Sequence, residues 1–251
     1  MRNDPNREYA SGLARFLSKT LFRLANGIVF QTDEAQKWFP RSIQKKSKII
    51  FNPVDDVFYH TSYEGERHNI VTAGRLTAQK NHKMLIYAFA QIADQISDNL
   101  IIYGEGELRS DLENLVSKLH MENRIFLPGS IKNVADTIKS ARLFVLSSDY
   151  EGMPNALMEA LVLGIPCIST DCPCGGRTLI SDGINGFLVP IGDKEVLAEK
   201  MMQIANNDTI AQQFATKSIS VRNKLNSDHI FNEWLNYIDF VIGRIQKKIK
   251  G

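Results

Sequence analysis

From about residue 69 onward, short apolar runs alternate with longer segments in which apolar residues recur every three or four positions. Six of the short runs have the length of strands, and they lie at 70–73, 100–103, 125–127, 143–146, 167–170 and 186–189. The longer segments have the period of helices, and they lie at 84–96, 108–119, 134–140, 155–163, 177–181 and 195–205. This alternation predicts an α/β fold in which helices flank a parallel sheet. Ligands of such sheets bind at the carboxyl ends of the strands, so the loops after the strands are the place to look for a site.

The first sixty residues follow a different pattern. Predicted strands at 28–31 and 49–52 flank a short helix at 34–39, but two strands cannot bury a core of their own. The polar segment 63–67 indicates a boundary near residues 56–68. Apolar residues at helical spacing between 231 and 245 predict a long amphipathic helix, which needs a surface to cover. We therefore expect three parts: 1–60 is a fragment of a first domain, 61–228 is the parallel-sheet domain, and 229–251 is a helix that packs back toward the N-terminal part.

Composition and charge exclude several classes of protein. The 251 residues are 43% hydrophobic and 23% charged, and a formal net charge of +2 gives no reason to expect nucleic-acid binding. No stretch reaches the roughly 20 apolar residues of a membrane-spanning helix. The N-terminus lacks the apolar core of a secretory signal. We therefore expect a cytoplasmic protein whose three cysteines stay reduced.

Two of the cysteines, Cys172 and Cys174, stand close enough in sequence to suggest a metal site. A zinc site usually needs four ligands, and no matching pair of cysteines or histidines lies nearby. We therefore expect free thiols in or beside a loop, and neither a metal nor another cofactor.

The segment 151–161 directly follows the predicted strand at 143–146, and it contains the start of a helix. Pro154 suits the first position of that helix. The backbone amides of Asn155, Ala156 and Leu157 would then be free at its N-terminus, where a phosphate is favoured. This segment therefore predicts an anion site at the carboxyl edge of the sheet.

Two carboxylates accompany this helix start. Glu159 is the only charged residue between positions 153 and 163, and a carboxylate in an apolar helix needs hydrogen-bond donors such as ribose hydroxyls. Glu151 stands just before the helix, in a position from which it could face a ligand at the same edge. The alternative is that Glu159 faces solvent and Glu151 only stabilises the helix terminus. From the residues alone, the two interpretations stand about evenly.

A second cluster follows the strand at 70–73. Gly74 permits a sharp turn, and Arg75 and Lys80 place two cations at the same edge as the predicted anion site. Together they would neutralise a diphosphate, although solvated loop cations are the commoner case. Gly104 follows the next strand and Gly129-Ser130 the one after it. Glycine-rich turns alone are weak signals, and these gain weight because they share one edge.

The residues of these loops together resemble glycosyltransferase family 4 and its relatives. Glu151 and Glu159, with seven residues between them, match the E-x7-E motif of that family. The other matches occur in the family's order, and they are Gly74-Arg75-Leu76 with Lys80, Gly104-Glu105-Gly106, Pro128-Gly129 and the segment 182–189. A lone E-x7-E is common by chance, whereas several ordered matches over nearly the whole chain are not. The resemblance implies a retaining enzyme of the GT-B fold, whose C-terminal domain is Rossmann-like.

The resemblance also implies a role for each matching residue. Arg75 and Lys80 would hold the donor diphosphate and stabilise the charge on the leaving nucleotide. Glu159 would bind the ribose hydroxyls, and Glu151 the hydroxyls near C3 or C4 of the transferred sugar. These roles make Arg75, Lys80 and Glu151 the expected catalytic residues. The expected donor-binding residues are Glu159 together with Gly74, Gly104, Gly129, Ser130, Gly152, Met153, Pro154, Asn155, Ala156 and Leu157.

The chain departs from the family at its N-terminus. Family members open with an acceptor-binding domain, and segments 2–5, 28–32 and 48–55 resemble only the last parts of that domain. The Gly-rich first loop of that domain and a His or acid that faces the donor sugar have no counterpart here. Because proximity of both substrates supplies much of the rate of group transfer, we expect weak or no transferase activity from this chain alone.

By resemblance, the expected reaction is transfer of a hexose or N-acetylhexosamine from a nucleotide-diphospho-sugar, with a UDP-sugar as donor. The acceptor would be a glycan or a lipid-linked sugar in the assembly of a bacterial surface polysaccharide or glycolipid. A non-catalytic nucleotide-binding subunit that partners another glycosyltransferase is the main alternative. A sugar-nucleotide 2-epimerase of similar fold would need a complete first domain.

Two groups of lysines raise the question of a membrane contact. They are Lys45, Lys46 and Lys48, and Lys247, Lys248 and Lys250 near the C-terminus. Such lysines attract anionic lipid at the inner face of a membrane, although ordinary solvated lysines have the same composition.

Overall fold

The computed structural model describes residues 4–250, except for the side chains of residue 219 and residues 248–250. Arg2 and Asn3 of the predicted N-terminal segment lie outside the described residues, as do the side chains of Lys248 and Lys250.

The N-terminal part contains two short parallel strands with helices around them. The strands are β1 (Ile28–Phe30) and β2 (Ser47–Ile49), and Ile28 stands opposite Ser47 in the ladder. The helices are α1 (Pro5–Glu8), α2 (Gly12–Leu21), α3 (Asp33–Lys37), α4 (Arg41–Gln44) and α5 (Asp56–His60). The Thr32 side chain accepts a hydrogen bond from the amide of Ala35 and so begins α3 one residue before the predicted position.

The second strand lies two residues earlier than the predicted range of 49–52. The apolar run that suggested the later position reflects burial instead of strand pairing. Ile50 is only 2% exposed, and it packs with Ile230 and Tyr237 in a small apolar cluster. A residue buried by a helix gives the same sequence signal as a residue buried in a sheet.

The predicted parallel sheet of the following part is confirmed, and it has six strands. They are β3 (His68–Ala73), β4 (Leu100–Tyr103), β5 (Ile125–Gly129), β6 (Ala141–Leu146), β7 (Cys167–Thr170) and β8 (Phe187–Val189). Their spatial order is β5-β4-β3-β6-β7-β8, and every neighbouring pair is parallel. The chain therefore starts in the middle of the sheet, builds one side through β4 and β5, and then returns to build the other.

Helices cover both faces of this sheet. They are α6 (His82–Ile92), α7 (Arg109–Lys118), α8 (Val134–Ile138), α9 (Asn155–Val162) and α10 (Lys194–Ala205). The chain ends in α11 (Asp208–Lys217), α12 (Ile219–Lys224) and α13 (Ser227–Lys250). The predicted helix at 177–181 is wrong in type, because Gly176–Thr178 forms only a short 3-10 turn.

Alternation along the strands creates two separate cores. Leu143 and Val145 of β6 pack with α6, α7 and α10 on one face. Phe144 and Leu146 of the same strand pack with α8 and α9 on the other face. Successive side chains of a strand point to opposite faces, and both faces here are apolar, which explains the continuous apolar runs in the sequence. Phe58 of α5 is buried in this second core.

The C-terminal helix α13 contacts the small sheet through Tyr237. Its hydroxyl accepts a hydrogen bond from the amide of Ile28 at 2.7 Å and lies 2.6 Å from the carbonyl oxygen of Lys46, to which it donates. Val241 packs into the same cluster beside Val29. Among the described residues, no helix combines the length and the apolar character that a membrane crossing requires.

Candidate functional site

The loops after β3 and β6 lie at the point where the order of the sheet reverses. β3 is followed in the chain by β4 on one side, while β6 pairs with β3 on the other side. At such a switch point, the loops after the two strands diverge and leave a crevice for ligands. The loop after β3 carries Arg75 and Lys80, and the loop after β6 carries Glu151. The topology therefore brings the predicted cations and the first predicted carboxylate to one crevice.

Four hydrogen bonds join these two loops into one unit. They are Ser147 Oγ to Lys80 O (2.9 Å), Asp149 N to Gln79 O (2.9 Å), Gln79 Nε2 to Tyr150 O (2.9 Å) and Asn81 Nδ2 to Asp149 Oδ1 (2.7 Å). Asn81 also accepts from the amide of Met84 and begins α6, with a φ of 44° that places it in the left-handed region. Asparagine tolerates this region better than most residues, and the tight turn it allows directs the chain back under Lys80.

Lys80 and Glu151 form a short, largely buried ion pair. Nζ of Lys80 lies 2.6 Å from Oε1 of Glu151, and the two side chains are 15% and 6% exposed. The same Oε1 accepts a hydrogen bond from Ser148 Oγ at 2.6 Å. Both donors bind Oε1, and no described residue donates to Oε2. Oε2 is not fully buried, so it is the oxygen that remains available to a ligand. The interpretation of Glu151 as a helix-terminus residue is wrong, because its partners are Lys80 and Ser148.

Arg75 is exposed, and its guanidinium makes no ion pair or hydrogen bond with the part of the chain that the structure describes. Its backbone carbonyl lies 3.3 Å from Nε2 of His82, a residue that is only 3% exposed. Burial lowers the pKa of His82 to about 4, so the ring is neutral near pH 7 and donates from Nε2 to this carbonyl. Arg75 is therefore a free cation on an anchored backbone.

Glycines bring the loops after β3, β4 and β5 into close contact. Gly104 has a φ of 139°, and a Cβ built on it would lie 1.8 Å from the carbonyl oxygen of Gly74. The amide of Gly104 donates to the carbonyl of Gly129 at 2.9 Å. Gly129 is buried with a φ of 94°, and Ser130 beside it is exposed. The three glycines thus form one surface next to Arg75.

The start of α9 differs in one detail from the prediction. Pro154 precedes the helix as its N-cap residue and does not occupy the first helical position. Leu157 N donates to the Pro154 carbonyl at 3.1 Å, so this amide is not free. The amides of Asn155 and Ala156 have no partner among the described residues. Gly152 and Met153 are buried just before the helix. Two free amides therefore remain at this end of α9, where an anion is favoured.

Glu159 is partly buried on α9, so the interpretation that it simply faces solvent is wrong. Burial raises its pKa to about 7, and the nearby charge of Asp55 acts in the same direction. No side chain of the described residues donates a hydrogen bond to this carboxylate. A partly buried carboxylate without donors is a suitable acceptor for ligand hydroxyls.

All three cysteines are buried free thiols, and Cys172 lies near Glu151. Burial raises the pKa of Cys172 and of Cys174 to about 11, which keeps both protonated near pH 7. Within residues 4–250, no group of three or more His, Cys, Asp or Glu side chains is arranged to hold a metal ion.

Sequence reasoning missed two polar groups of this site. Ser148 is fully buried, and its hydroxyl contacts the Glu151 carboxylate. A chain of amide side chains also joins the small sheet to α9: Gln31 donates to Asn52, and Asn52 Nδ2 donates to Asn155 Oδ1 at 2.9 Å. Gln31 and Asn52 are the last residues of the two predicted N-terminal strands, so their position at the carboxyl ends of strands was the signal that identifies them.

A polar cavity of about 640 Å³ lies at the opposite, amino-terminal edge of the sheet, where Arg67 and Arg142 contribute to its lining. Arg67 donates to the carbonyl oxygens of Lys139 and Ala141, and Arg142 pairs with Asp208 at 2.6 Å. Both arginines of this cavity thus already have partners within the protein, in contrast to Arg75.

Comparison with known families identifies the parallel-sheet part of the chain. The family described as "Glycosyl transferases group 1" matches residues 60–221, which is more than half of the chain. An uncharacterized glycosyltransferase of Methanocaldococcus jannaschii is 34% identical over 204 residues, which cover 74% of this chain and 50% of that protein. An α-1,4-N-acetyl-D-galactosaminyltransferase of Campylobacter jejuni, named for a diphospho-undecaprenol-linked substrate, is 27% identical over 89% of this chain and 63% of its own length. The chain thus spans about half to two-thirds of the length of these relatives.

Solved structures agree with the fold. The Anabaena protein HepE, solved with UDP, matches with a TM-score of 0.85 at 19% identity over 94% of this chain and 70% of its own. The pneumococcal O-GlcNAc transferase GtfA, solved with UDP and GlcNAc, matches with a TM-score of 0.80 at 23% identity over 96% and 52% of the two chains. The six-stranded parallel sheet, with its crevice where the strand order reverses, agrees with the family match. The chain therefore belongs to the group 1 glycosyl transferases and has the GT-B type of fold.

Proposed function

We propose that this chain supplies the nucleotide-sugar site of a retaining glycosyltransferase of family 4. The donor is a UDP-sugar, and the transferred group is a hexose or an N-acetylhexosamine. The acceptor is a glycan or a lipid-linked sugar of a bacterial surface polysaccharide or glycolipid. Relatives with these kinds of substrate in their names support the class of reaction, and the E-x7-E spacing of Glu151 and Glu159 supports the family and its retaining stereochemistry.

The observation that carries the proposal is the arrangement of charges at the switch point. Arg75 is an unpaired cation on one loop, and Lys80 is held by Glu151 of the neighbouring loop at 2.6 Å. The free amides of Asn155 and Ala156 begin a helix that follows the same neighbouring loop. A diphosphate needs this combination of cations and amide donors, and so does the negative charge that develops on the leaving nucleotide. The proposal includes no metal cofactor, because these groups supply the positive charge.

The two carboxylates are assigned different ligands. Oε1 of Glu151 is held by Lys80, and Oε2 accepts hydroxyls of the transferred sugar. Glu159 lies further along α9, next to Asp55, and accepts the ribose hydroxyls. The glycine surface formed by Gly74, Gly104 and Gly129 borders the nucleobase, because it allows a flat ring to approach the backbone closely.

Calorimetric titration of UDP, GDP and ADP into the purified chain tests the proposal. We expect UDP to bind most tightly. Glu159→Ala should weaken that binding by about 1–3 kcal/mol, the cost of removing a charged hydrogen-bond acceptor. Glu195→Ala is a matched control, because Glu195 is an exposed carboxylate in the first turn of α10, away from the crevice. Absence of nucleotide binding by a folded sample would contradict the proposal. An equal loss of UDP affinity in Glu159→Ala and Glu195→Ala would also contradict it.

A non-catalytic subunit is a second candidate, and one observation favours it. Sixteen large hydrophobic residues are exposed in the described part of the chain, and eleven of them lie on α2, the turn after it, and α13. An apolar surface of this extent on two neighbouring elements is typical of a protein interface. Release of UDP from a UDP-sugar that depends on an added acceptor would exclude the non-catalytic subunit, because such a subunit binds the donor without releasing UDP. Only a positive result separates the two candidates, since we expect this chain on its own to transfer sugar weakly or not at all.

A further inference from the structure

Ser148 carries a buried hydroxyl that is hydrogen-bonded to a carboxylate of the crevice. Its side chain is fully buried, and Oγ donates to Oε1 of Glu151 at 2.6 Å. The hydroxyl therefore shares one carboxylate oxygen with Nζ of Lys80, which lies at the same distance. Hydrogen bonds to a charged acceptor are the stronger kind, and two of them on one oxygen fix the rotation of the carboxylate.

The backbone of Ser148 is itself held from the next strand. Thr170, the last residue of β7, donates from Oγ1 to the Ser148 carbonyl at 2.5 Å, and Thr170 is fully buried as well. On its other side, Ser147 donates to the carbonyl of Lys80 at 2.9 Å. The position of the Ser148 hydroxyl is therefore set by three adjacent strands, β3, β6 and β7. Such a network of buried, satisfied polar groups is rigid.

We propose that Ser148 is a positioning residue for recognition of the transferred sugar. By holding Oε1 of Glu151 together with Lys80, it turns Oε2 toward the crevice, where Oε2 accepts sugar hydroxyls. This inference rests on the proposed function, since it assigns a role in the same donor site. It implies that Ser148 affects the binding of the sugar part of the donor and not the binding of the nucleotide part.

A purely structural hydroxyl would behave differently. If Ser148 only satisfied a buried acceptor, its loss would lower the stability of the fold and weaken the binding of UDP and of the UDP-sugar equally. If it acts through Glu151, its loss should reduce only the additional affinity that the sugar provides. Its effect should also disappear once the Glu151 carboxylate has been removed.

The experiment measures the dissociation constants of UDP and of a UDP-sugar for the same protein by calorimetry. The probes are UDP-glucose, UDP-galactose, UDP-GlcNAc and UDP-GalNAc, and the one that binds most tightly to the wild type is kept. We expect Ser148→Ala to reduce the preference for this UDP-sugar over UDP roughly tenfold, as for a lost hydrogen bond to a charged group. The dissociation constant of UDP itself should change less than about twofold.

Ser169→Ala is the matched control. Ser169 is also fully buried, it lies on β7, and its hydroxyl bonds to the carbonyl of Thr170 at 3.0 Å without contact to Glu151. We expect this variant to keep the wild-type preference. In the Glu151→Ala background, Ser148→Ala should change the preference no further. If Ser148→Ala does not fold, Ser148→Cys replaces the hydroxyl with a somewhat larger thiol that is only a weak donor, and the same loss of preference is expected.

The outcomes separate the two proposals. If the wild type binds no UDP, the proposed function fails, and the role of Ser148 fails with it. If the wild type prefers a UDP-sugar but Ser148→Ala keeps that preference, or loses it equally with and without the Glu151 carboxylate, only the role of Ser148 is overturned. A wild type that binds UDP and all four UDP-sugars equally would also overturn it, since there would be no sugar recognition to position.

Discussion

Glu159 lies partly buried on α9, where burial and the charge of Asp55 raise its pKa to about 7 from an ordinary value of 4.5. Because the folded-state pKa is raised, the charged form of this carboxyl opposes folding. Its contribution to stability is complete below pH 4.5 and is lost as the pH rises through about 7. A ligand that donates hydrogen bonds to the carboxylate should reverse this by favouring the charged form.

Glu159→Gln should therefore raise the free energy of unfolding at pH 8 by about 1–3 kcal/mol and leave it nearly unchanged at pH 4.5. The same variant should bind UDP more weakly at pH 8, because a neutral amide is a poorer acceptor for the ribose hydroxyls. Urea unfolding at the two pH values measures the first effect and calorimetry the second. Glu195→Gln serves as the exposed control. Equal or lower stability of Glu159→Gln at pH 8 would show that the carboxylate is not destabilised by its surroundings.

Sequence reasoning located the charged residues of the site but not their pairing. Arg75, Lys80 and Glu151 were placed at one edge of the sheet because each follows a strand, and the fold brings their loops together there. The direct bond between Lys80 and Glu151, and the role of Ser148 beside it, depend on side-chain directions across two neighbouring strands. Such directions are set by tertiary packing, which spacing along the chain does not encode.

Among the elements of the site, the turn after β4 is the most constrained. Gly104 combines a φ of 139° with a position where an added Cβ would lie 1.8 Å from the Gly74 carbonyl oxygen. Gly104→Ala must therefore separate the loops after β3 and β4. We expect a loss of about 2–4 kcal/mol in the free energy of unfolding, together with weaker nucleotide binding.

Gly164→Ala separates backbone strain from the steric clash. Gly164 also has a positive φ, of 67°, but a Cβ there would meet no atom within 4 Å. This variant should lower the free energy of unfolding by only about 1–2 kcal/mol, because alanine is strained in the left-handed region. Its nucleotide affinity should be unchanged. Thermal or urea unfolding of both variants gives the comparison. A Gly104→Ala variant no less stable than Gly164→Ala would contradict the close approach of the two loops.

The elements of the parallel sheet were predictable because both of its faces are buried. Each strand then appears as a continuous apolar run, as in β6, and the runs at 100–103 and 167–170 match β4 and β7 without any shift. The helices α2 and α11 were not predicted. In α2 the signal was present, because Leu13, Phe16, Leu17 and Leu21 recur at helical spacing, although these side chains are exposed in the structure. In α11 the signal is weak, because Phe214 is the only buried residue of that helix.

At the scale of the whole molecule, the chain consists of a parallel-sheet unit and a small N-terminal unit that touch through α13, α5 and the amide chain to Asn155. The parallel-sheet unit buries two apolar cores. The small unit has only β1 and β2 in its sheet, buries a smaller cluster around Phe30, Phe39 and Ile43, and exposes apolar residues on α2. The proposed donor site lies in the parallel-sheet unit, which has the larger buried cores.

A crystal structure of this chain with UDP would show directly where the nucleotide binds. We expect the diphosphate at the crevice between β3 and β6, with oxygens about 2.7–3.2 Å from Arg75 or Lys80 and from the amides of Asn155 and Ala156. The ribose hydroxyls should reach the Glu159 carboxylate. UDP bound elsewhere, for example in the cavity beside Arg67 and Arg142, with the crevice empty, would show that the crevice is not the donor site.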